Sequence, residues 1–182
     1  MIRRGRGLVL LALVLGACRG EAHPAREAHG DADLARLVDS LRGPVERVWK
    51  AHHDASLVKR WLLGPDGWTM PVCDVARKVG DAYRFEWEAD DGSQRFGFEG
   101  ELLESAPPHR AVTTERMIGM EGPGSVNDMT LTAVGAGTLL TVLITYPSVE
   151  IRDMALGSGM VGGMEQSYAR LEADVIAATP QA

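Results

Sequence analysis

The chain has 182 residues, of which 45% are hydrophobic, 24% are charged and ten are aromatic (four Trp, three Tyr, three Phe). That is enough apolar material for one domain with a full core, and it excludes a chain that is disordered over most of its length or that spans a membrane many times. The formal charge is −6; without the first 17 residues, which hold Arg3, Arg4 and Arg6, 16 basic residues face 25 acidic ones. Nucleic acid is excluded as a partner, because binding phosphates needs a basic surface. The two cysteines, Cys18 and Cys73, cannot build a disulfide framework or a cysteine-based zinc site.

The basic opening Met1 to Gly7 is followed by an apolar run, Leu8 to Ala17, and then by Cys18, the order of a secretory signal. The run is about half of the roughly 20 residues that a membrane-spanning helix needs. Leu15-Gly16-Ala17-Cys18 resembles the bacterial lipobox, in which the cysteine is acylated and becomes the first mature residue. The other reading of this leader is an extended translation start on a cytoplasmic domain. Residues from Glu21 to about Asp33 lack periodic apolar positions and read as a tether, with His23 and His29 as solvated bystanders. The expected organisation is a signal peptide over 1–17, a tether over 18–33, one domain over 34–178 and a tail over 179–182.

Within the domain, Leu34, Leu37, Val38 and Leu41 have helical spacing, although the segment is assigned as a strand on the resemblance given below. Pro44 opens a helix on which Val45, Val48, Trp49 and His52 recur at helical intervals. A second short helix, Ala55 to Leu62, ends at the turn Gly64-Pro65-Asp66-Gly67. From Trp68 the period becomes two: Tyr83, Phe85 and Trp87 alternate with Arg84, Glu86 and Glu88, as a strand with one wet face requires. Six strands are predicted, at Thr69 to Ala76, around Tyr83 to Trp87, and at Arg95 to Glu104, Arg110 to Ile118, Val126 to Val134 and Thr138 to Tyr146. After Pro147, Met160, Met164, Tyr168, Leu171 and Val175 mark a long closing helix. The pattern implies an α+β domain in which a curved antiparallel sheet grips one helix.

Several ordered motifs carry a family likeness. They are Val45 to Ala51, the stretch Arg60-Trp61-Leu62-Leu63-Gly64-Pro65-Asp66-Gly67-Trp68, Pro107-Pro108-His109-Arg110, Thr114-Glu115, and Tyr146-Pro147-Ser148-Val149-Glu150 leading into Ser158 to Leu171. Through them the chain resembles the SRPBCC, or START-like, superfamily and, within it, the activator of heat-shock protein 90 ATPase homologue family. The likeness covers about Leu34 to Ala178. It implies a helix-grip fold with a cavity between sheet and terminal helix that holds hydrophobic small molecules in many superfamily members. The chain departs from the family's pattern at Ala76, where relatives carry Asp, and at Asp81, where they carry Gly.

The candidate cavity lining, chosen by strand alternation and helix spacing, is Trp61, Trp68, Met70, Phe85, Trp87, Phe98, Met117, Met129, Met160, Met164 and Tyr168. Methionine suits an adaptable apolar pocket as well as a core. Gly157-Ser158-Gly159-Met160-Val161-Gly162 matches the dinucleotide fingerprint, but it does not follow a strand and no parallel strand comes after it; a helix bend or close packing is the expected role. No G-x-S-x-G elbow or H-E-x-x-H motif is present, so no catalytic residue, metal or cofactor is assigned. His52 and His53 point to different sides of their helix, one toward the core and one toward water. Glu115, Arg116 and Asp128 either project into a pocket or form ion pairs at the rim, and Cys73 reads as a buried strand residue.

The expected function is a lipid-anchored module of the cell envelope, attached through Cys18, that binds a hydrophobic small molecule or lipid. The alternatives are a cyclase- or hydratase-like enzyme on a hydrophobic substrate, which needs convergent polar groups in the cavity, and a cytoplasmic chaperone-ATPase-activator-like interaction module if the leader is not used. A chaperone partner is incompatible with export, since heat-shock protein 90 and its ATP are cytoplasmic.

Overall fold

The computed structural model describes residues 34–63 and 66–177. The expected signal, tether and acylation site at Cys18 lie outside the described residues, as does the tail. Seven strands, β1 (Leu34–Leu41), β2 (Trp68–Asp74), β3 (Ala82–Ala89), β4 (Arg95–Ala106), β5 (Arg110–Met117), β6 (Ser125–Val134) and β7 (Gly137–Thr145), form one curved antiparallel sheet in the order β1-β7-β6-β5-β4-β3-β2. Consecutive strands from β2 to β7 are neighbours, so the sheet is a meander. The first strand closes onto its far edge, with Leu34 opposite Thr145 and Leu41 opposite Thr138. Helical spacing in β1 is overridden because the edge of β7 supplies a full row of backbone partners, which a helix there would leave unmet.

Helices α1 (Val45–His53) and α2 (Ala55–Trp61) carry the chain from one edge of the sheet to the other. Pro44 starts α1 in extended geometry, and Val45, Val48 and Ala51 form its buried stripe. Asp54 separates the two helices and caps α2 by accepting from the Ser56 amide at 2.9 Å.

The closing helix is not continuous. It runs as α3 (Val149–Gly157) and α4 (Met160–Arg170), the latter extended by a π-helical segment over Leu171–Ile176. The break falls at Gly159, whose φ of 87° is left-handed backbone that only glycine adopts freely. Of the fingerprint-like glycines, Gly157 ends α3, Gly159 turns the chain and Gly162 lies inside α4. Past the break, Tyr168, Leu171 and Val175 are buried at 4% exposure or less.

The principal core lies between the β1, β6 and β7 side of the sheet and helices α1, α2 and α4. It contains Leu41, Val48, Ala51, Trp61, Leu131, Leu140, Tyr168 and Leu171. Part-buried polar contacts tie the end of the terminal helix to α1 and the loop before it: Arg42 donates through its amide and Nε to Glu172, at 2.5 and 2.9 Å, and Arg47 of α1 donates to the Ile176 carbonyl at 2.9 Å. A second core, of Val58, Met70, Cys73 and Trp87, fills the space between α2 and the β2–β3 hairpin. Cys73 is buried, and desolvation pushes its thiol up to about 11, which keeps it unreactive near neutral pH.

Candidate functional site

Strand alternation sorts the residues of β3, β4 and β5 onto two faces of opposite chemistry. On the outer face Arg84, Glu99 and Arg116 stand in line across the three strands, paired at 2.9 and 2.8 Å, and Glu86 bridges Arg84 and Arg95 at 2.7 and 2.6 Å. On β5 and β6, Arg110 clasps Asp128 through two donors at 2.9 Å each. Of the three charged residues considered for a pocket, Arg116 and Asp128 thus belong to this ion-paired face.

Glu115 goes the other way. Together with Thr113 and Ala111 on β5 it faces inward, and the register sets Ala111 opposite Met129 and Thr113 opposite Asn127. These side chains, with Tyr83 and Phe85 from β3, Leu102 from β4, Val75 and Ala76 after β2, and His52 and His53 from α1, enclose a cleft of about 160 Å³. His53 and Val75 also border an adjoining, wider groove of about 540 Å³ lined by Trp49, Lys50, Asp54, Ala55 and Arg77.

The cleft has an apolar wall and a cluster of polar groups. Tyr83 donates its hydroxyl to the Thr114 carbonyl at 2.8 Å and lies 3.4 Å from Glu115 Oε2. It reaches that far because its cross-strand neighbour is Gly100: a side chain there would meet Tyr83 Cε1 and the Thr114 carbonyl carbon at 2.7 Å each. Burial pushes the Glu115 carboxyl above the usual carboxylate range, against the opposing effect of hydrogen bonds from Asn127 and Tyr83. The Tyr83 phenol is likewise pushed up, first by desolvation and then by the nearby Glu115.

The two histidines divide as their adjacency on a helix demands. His53 stacks on Trp49 with ring centroids 3.8 Å apart and donates from Nδ1 to the Trp49 carbonyl at 2.9 Å. His52 turns inward against Trp61 and Tyr168, and its Nδ1 donates to the Val48 carbonyl at 2.8 Å. Desolvation lowers the His52 imidazole to about 4, so the ring is neutral at pH 7. Two polar atoms of this cluster, His52 Nε2 and Asn127 Oδ1, are buried without a hydrogen-bond partner. Such atoms are rare in folded proteins.

The eleven residues expected to line the cavity are spread over the molecule. Phe85 and Met129 line the cleft. Trp61 and Tyr168 are buried in the principal core, stacked at 5.4 Å, and Met164 packs against them. Met70 and Trp87 belong to the second core, with Trp68 and Phe98 packed on it. Met160 accepts a long contact from the Tyr146 hydroxyl at 3.8 Å, and Met117 is 40% exposed at the end of β5. Sequence reasoning did not single out Asn127, Thr113, Tyr83 or Leu102 for this site. The alternation of 111, 113 and 115 signals a shared face, but which residues of β6 and α1 oppose it depends on register and helix placement.

The fold and the cleft can be set beside known proteins. The sequence profile of the family described as activator of Hsp90 ATPase homolog 1-like protein matches residues 42–175. The chain belongs to this family. Its structure is similar to that of a Rhodobacter sphaeroides protein, with 26% identity, 81% of this chain and 95% of that one covered, and a TM-score of 0.73. It is also similar to CV1439 from Chromobacterium violaceum, at 28% identity over 81% and 99% of the two chains, with a TM-score of 0.68. An AHSA1-like protein from Aeromonas hydrophila shares the fold at 19% identity, with 81% and 99% covered and a TM-score of 0.65. No curated protein matches the chain. Membership agrees with the helix-grip, START-like architecture of the curved sheet.

Proposed function

We propose that the chain is a binding protein that takes a small hydrophobic molecule into the cleft between α1 and strands β3, β5 and β6, and that lipid on Cys18 holds it at a bacterial membrane. The observation that carries the binding reading is the cleft itself: about 160 Å³, walled by Val75, Phe85, Leu102, Ala111 and Met129, with polar groups gathered in one cluster. Apolar walls with a few placed polar groups are the usual composition of a small-molecule site. Native mass spectrometry of the full chain purified from a bacterial host is expected to reveal a bound small molecule. A chain that carries none, and whose melting temperature no hydrophobic fragment raises, overturns the reading. The anchor rests on Leu15-Gly16-Ala17-Cys18. Cys18→Ala is expected to release the chain from the membrane fraction and to remove an acyl-sized mass, and equal fractionation and mass in both forms overturn it. Acylation would also dispose of a chaperone-linked role in the cytoplasm.

A second reading, a cyclase- or hydratase-like enzyme, draws support from the convergence of Glu115, Tyr83 and His52 in one cleft. A raised carboxyl is suited to deliver a proton to a bound substrate, and a neutral imidazole to accept one. A ligand returned chemically altered by the wild type and unaltered by Glu115→Gln would favour this reading, whereas a ligand returned intact by both favours simple binding.

A further inference from the structure

The hydrogen-bonding capacity of the cleft is unbalanced in a definite direction. A carbonyl oxygen only accepts, so the contact from His52 to Val48 at 2.8 Å places the hydrogen on Nδ1. With the imidazole neutral, Nε2 is then a bare lone pair. The amide of Asn127 turns its nitrogen to Glu115, which leaves Oδ1 as the second acceptor. Both atoms are buried and neither receives a hydrogen bond. The Tyr83 hydroxyl cannot serve them, since its hydrogen is committed to the Thr114 carbonyl. The Thr113 hydroxyl is engaged with Tyr83, so no side chain of the cleft donates to these two acceptors.

An arriving carboxylate would bring further acceptors to a place already holding two open ones and the Glu115 carboxyl, and would have to shed its water to do so. A neutral hydroxyl or N–H supplies the missing hydrogen at no such cost. The volume matches one ring: an apolar cavity of about 150 Å³ holds one benzene ring, and this cleft is of about 160 Å³.

We propose that the cleft recognises a neutral, single-ring-sized molecule bearing an O–H or N–H donor, of the phenol class, whose donor meets the open acceptors of His52 and Asn127. The proposal rests on the reading of the cleft as a ligand site and adds the chemistry of its ligand. The test is calorimetric titration of the full chain at pH 7 with phenol, with anisole, in which that hydrogen is replaced by a methyl group, and with benzoate. Phenol is expected to bind about tenfold more tightly than anisole, the equivalent of one net hydrogen bond, and benzoate more weakly than either. In Asn127→Leu and His52→Phe the phenol preference is expected to shrink toward unity while anisole still binds. Equal binding of phenol and anisole by the wild type, or tighter binding of benzoate, overturns the donor proposal and leaves a purely apolar or anion site. Failure of all three probes to bind overturns the ligand-site reading itself. The wild-type comparison decides the matter even if neither variant folds, and a preference that survives in both folded variants also overturns the assignment to these acceptors.

Discussion

Two parts of the same concave sheet face differ in how they are filled. Toward β1, β6 and β7 the space under the helices is solid: Val48, Ala51, Leu131, Leu140 and Leu171 are at most 1% exposed, and Trp61 and Tyr168 stack among them. Toward β3, β4 and β5, and at the start of β6, the same face carries Thr113, Glu115, Tyr83 and Asn127, and a cleft stays open above them. Trp61, Tyr168, Met70 and Trp87, which look like a cavity lining, act as plugs. An opening persists where small or polar residues stand opposite one another, because they neither fill the space nor gain by being packed. Ala111 and Thr113 on β5 are of this kind, and so is Ala76.

This contrast is open to direct attack. The largest effect is expected in the solid part. Trp61→Ala removes a buried ring stacked on Tyr168 and the hydrogen bond from its Nε1 to the Ala51 carbonyl at 3.0 Å. It should cost about 3–5 kcal/mol in denaturant unfolding, with a cost under about 1 kcal/mol showing that this region, too, is loosely packed.

The cleft should show itself by pH. The His52 imidazole is lowered from 6.5 to about 4, so the unfolded chain binds a proton that the folded chain refuses. The stability is therefore whole above pH 6.5 and is lost as pH falls toward 4, by about 3 kcal/mol from this residue. His53 is shifted in the same direction, also by desolvation. Glu115 opposes them, since a raised carboxyl favours the folded state on acidification. His52→Phe should flatten the loss between pH 6.5 and 4, and Glu115→Gln should steepen it. Parallel wild-type and His52→Phe curves would mean that the ring is solvated in the folded protein.

The smallest effect belongs to the outer face. Arg116 follows Glu115 in the chain but pairs with Glu99 in solvent at 2.8 Å, with 45% of its side chain exposed. Arg116→Ala should change stability by less than about 1 kcal/mol, and ligand affinity not at all; a strong loss of binding would mean that the cleft extends through the sheet.

Much of the architecture could be read along the chain. The alternation of Tyr83, Phe85 and Trp87 with charged residues marked a strand with one wet face, and the outer face is indeed an ion-paired lattice of Arg84, Glu86, Glu99 and Arg116. Helix spacing marked the stripe of Tyr168, Leu171 and Val175 that is buried in the core, although it offered Tyr168 as cavity lining. Spacing alone did not reveal the break at Gly159, because a glycine within a periodic stretch fits a bend or a close packing contact equally well. Nor did it separate plug from lining, since both are apolar and both recur with the period of their element.

Local pattern was sufficient for most element types from Pro44 onward, the two chemistries of the strands and the family to which the chain belongs, because side-chain period and motif order are properties of consecutive residues. Tertiary structure alone decided that His52 on a helix, Tyr83 on β3, Glu115 on β5 and Asn127 on β6 share one cleft, and that two of them keep open acceptors there. These residues lie up to 75 positions apart. What joins them is strand register and the seating of α1 on the sheet, both set by how the whole interior packs.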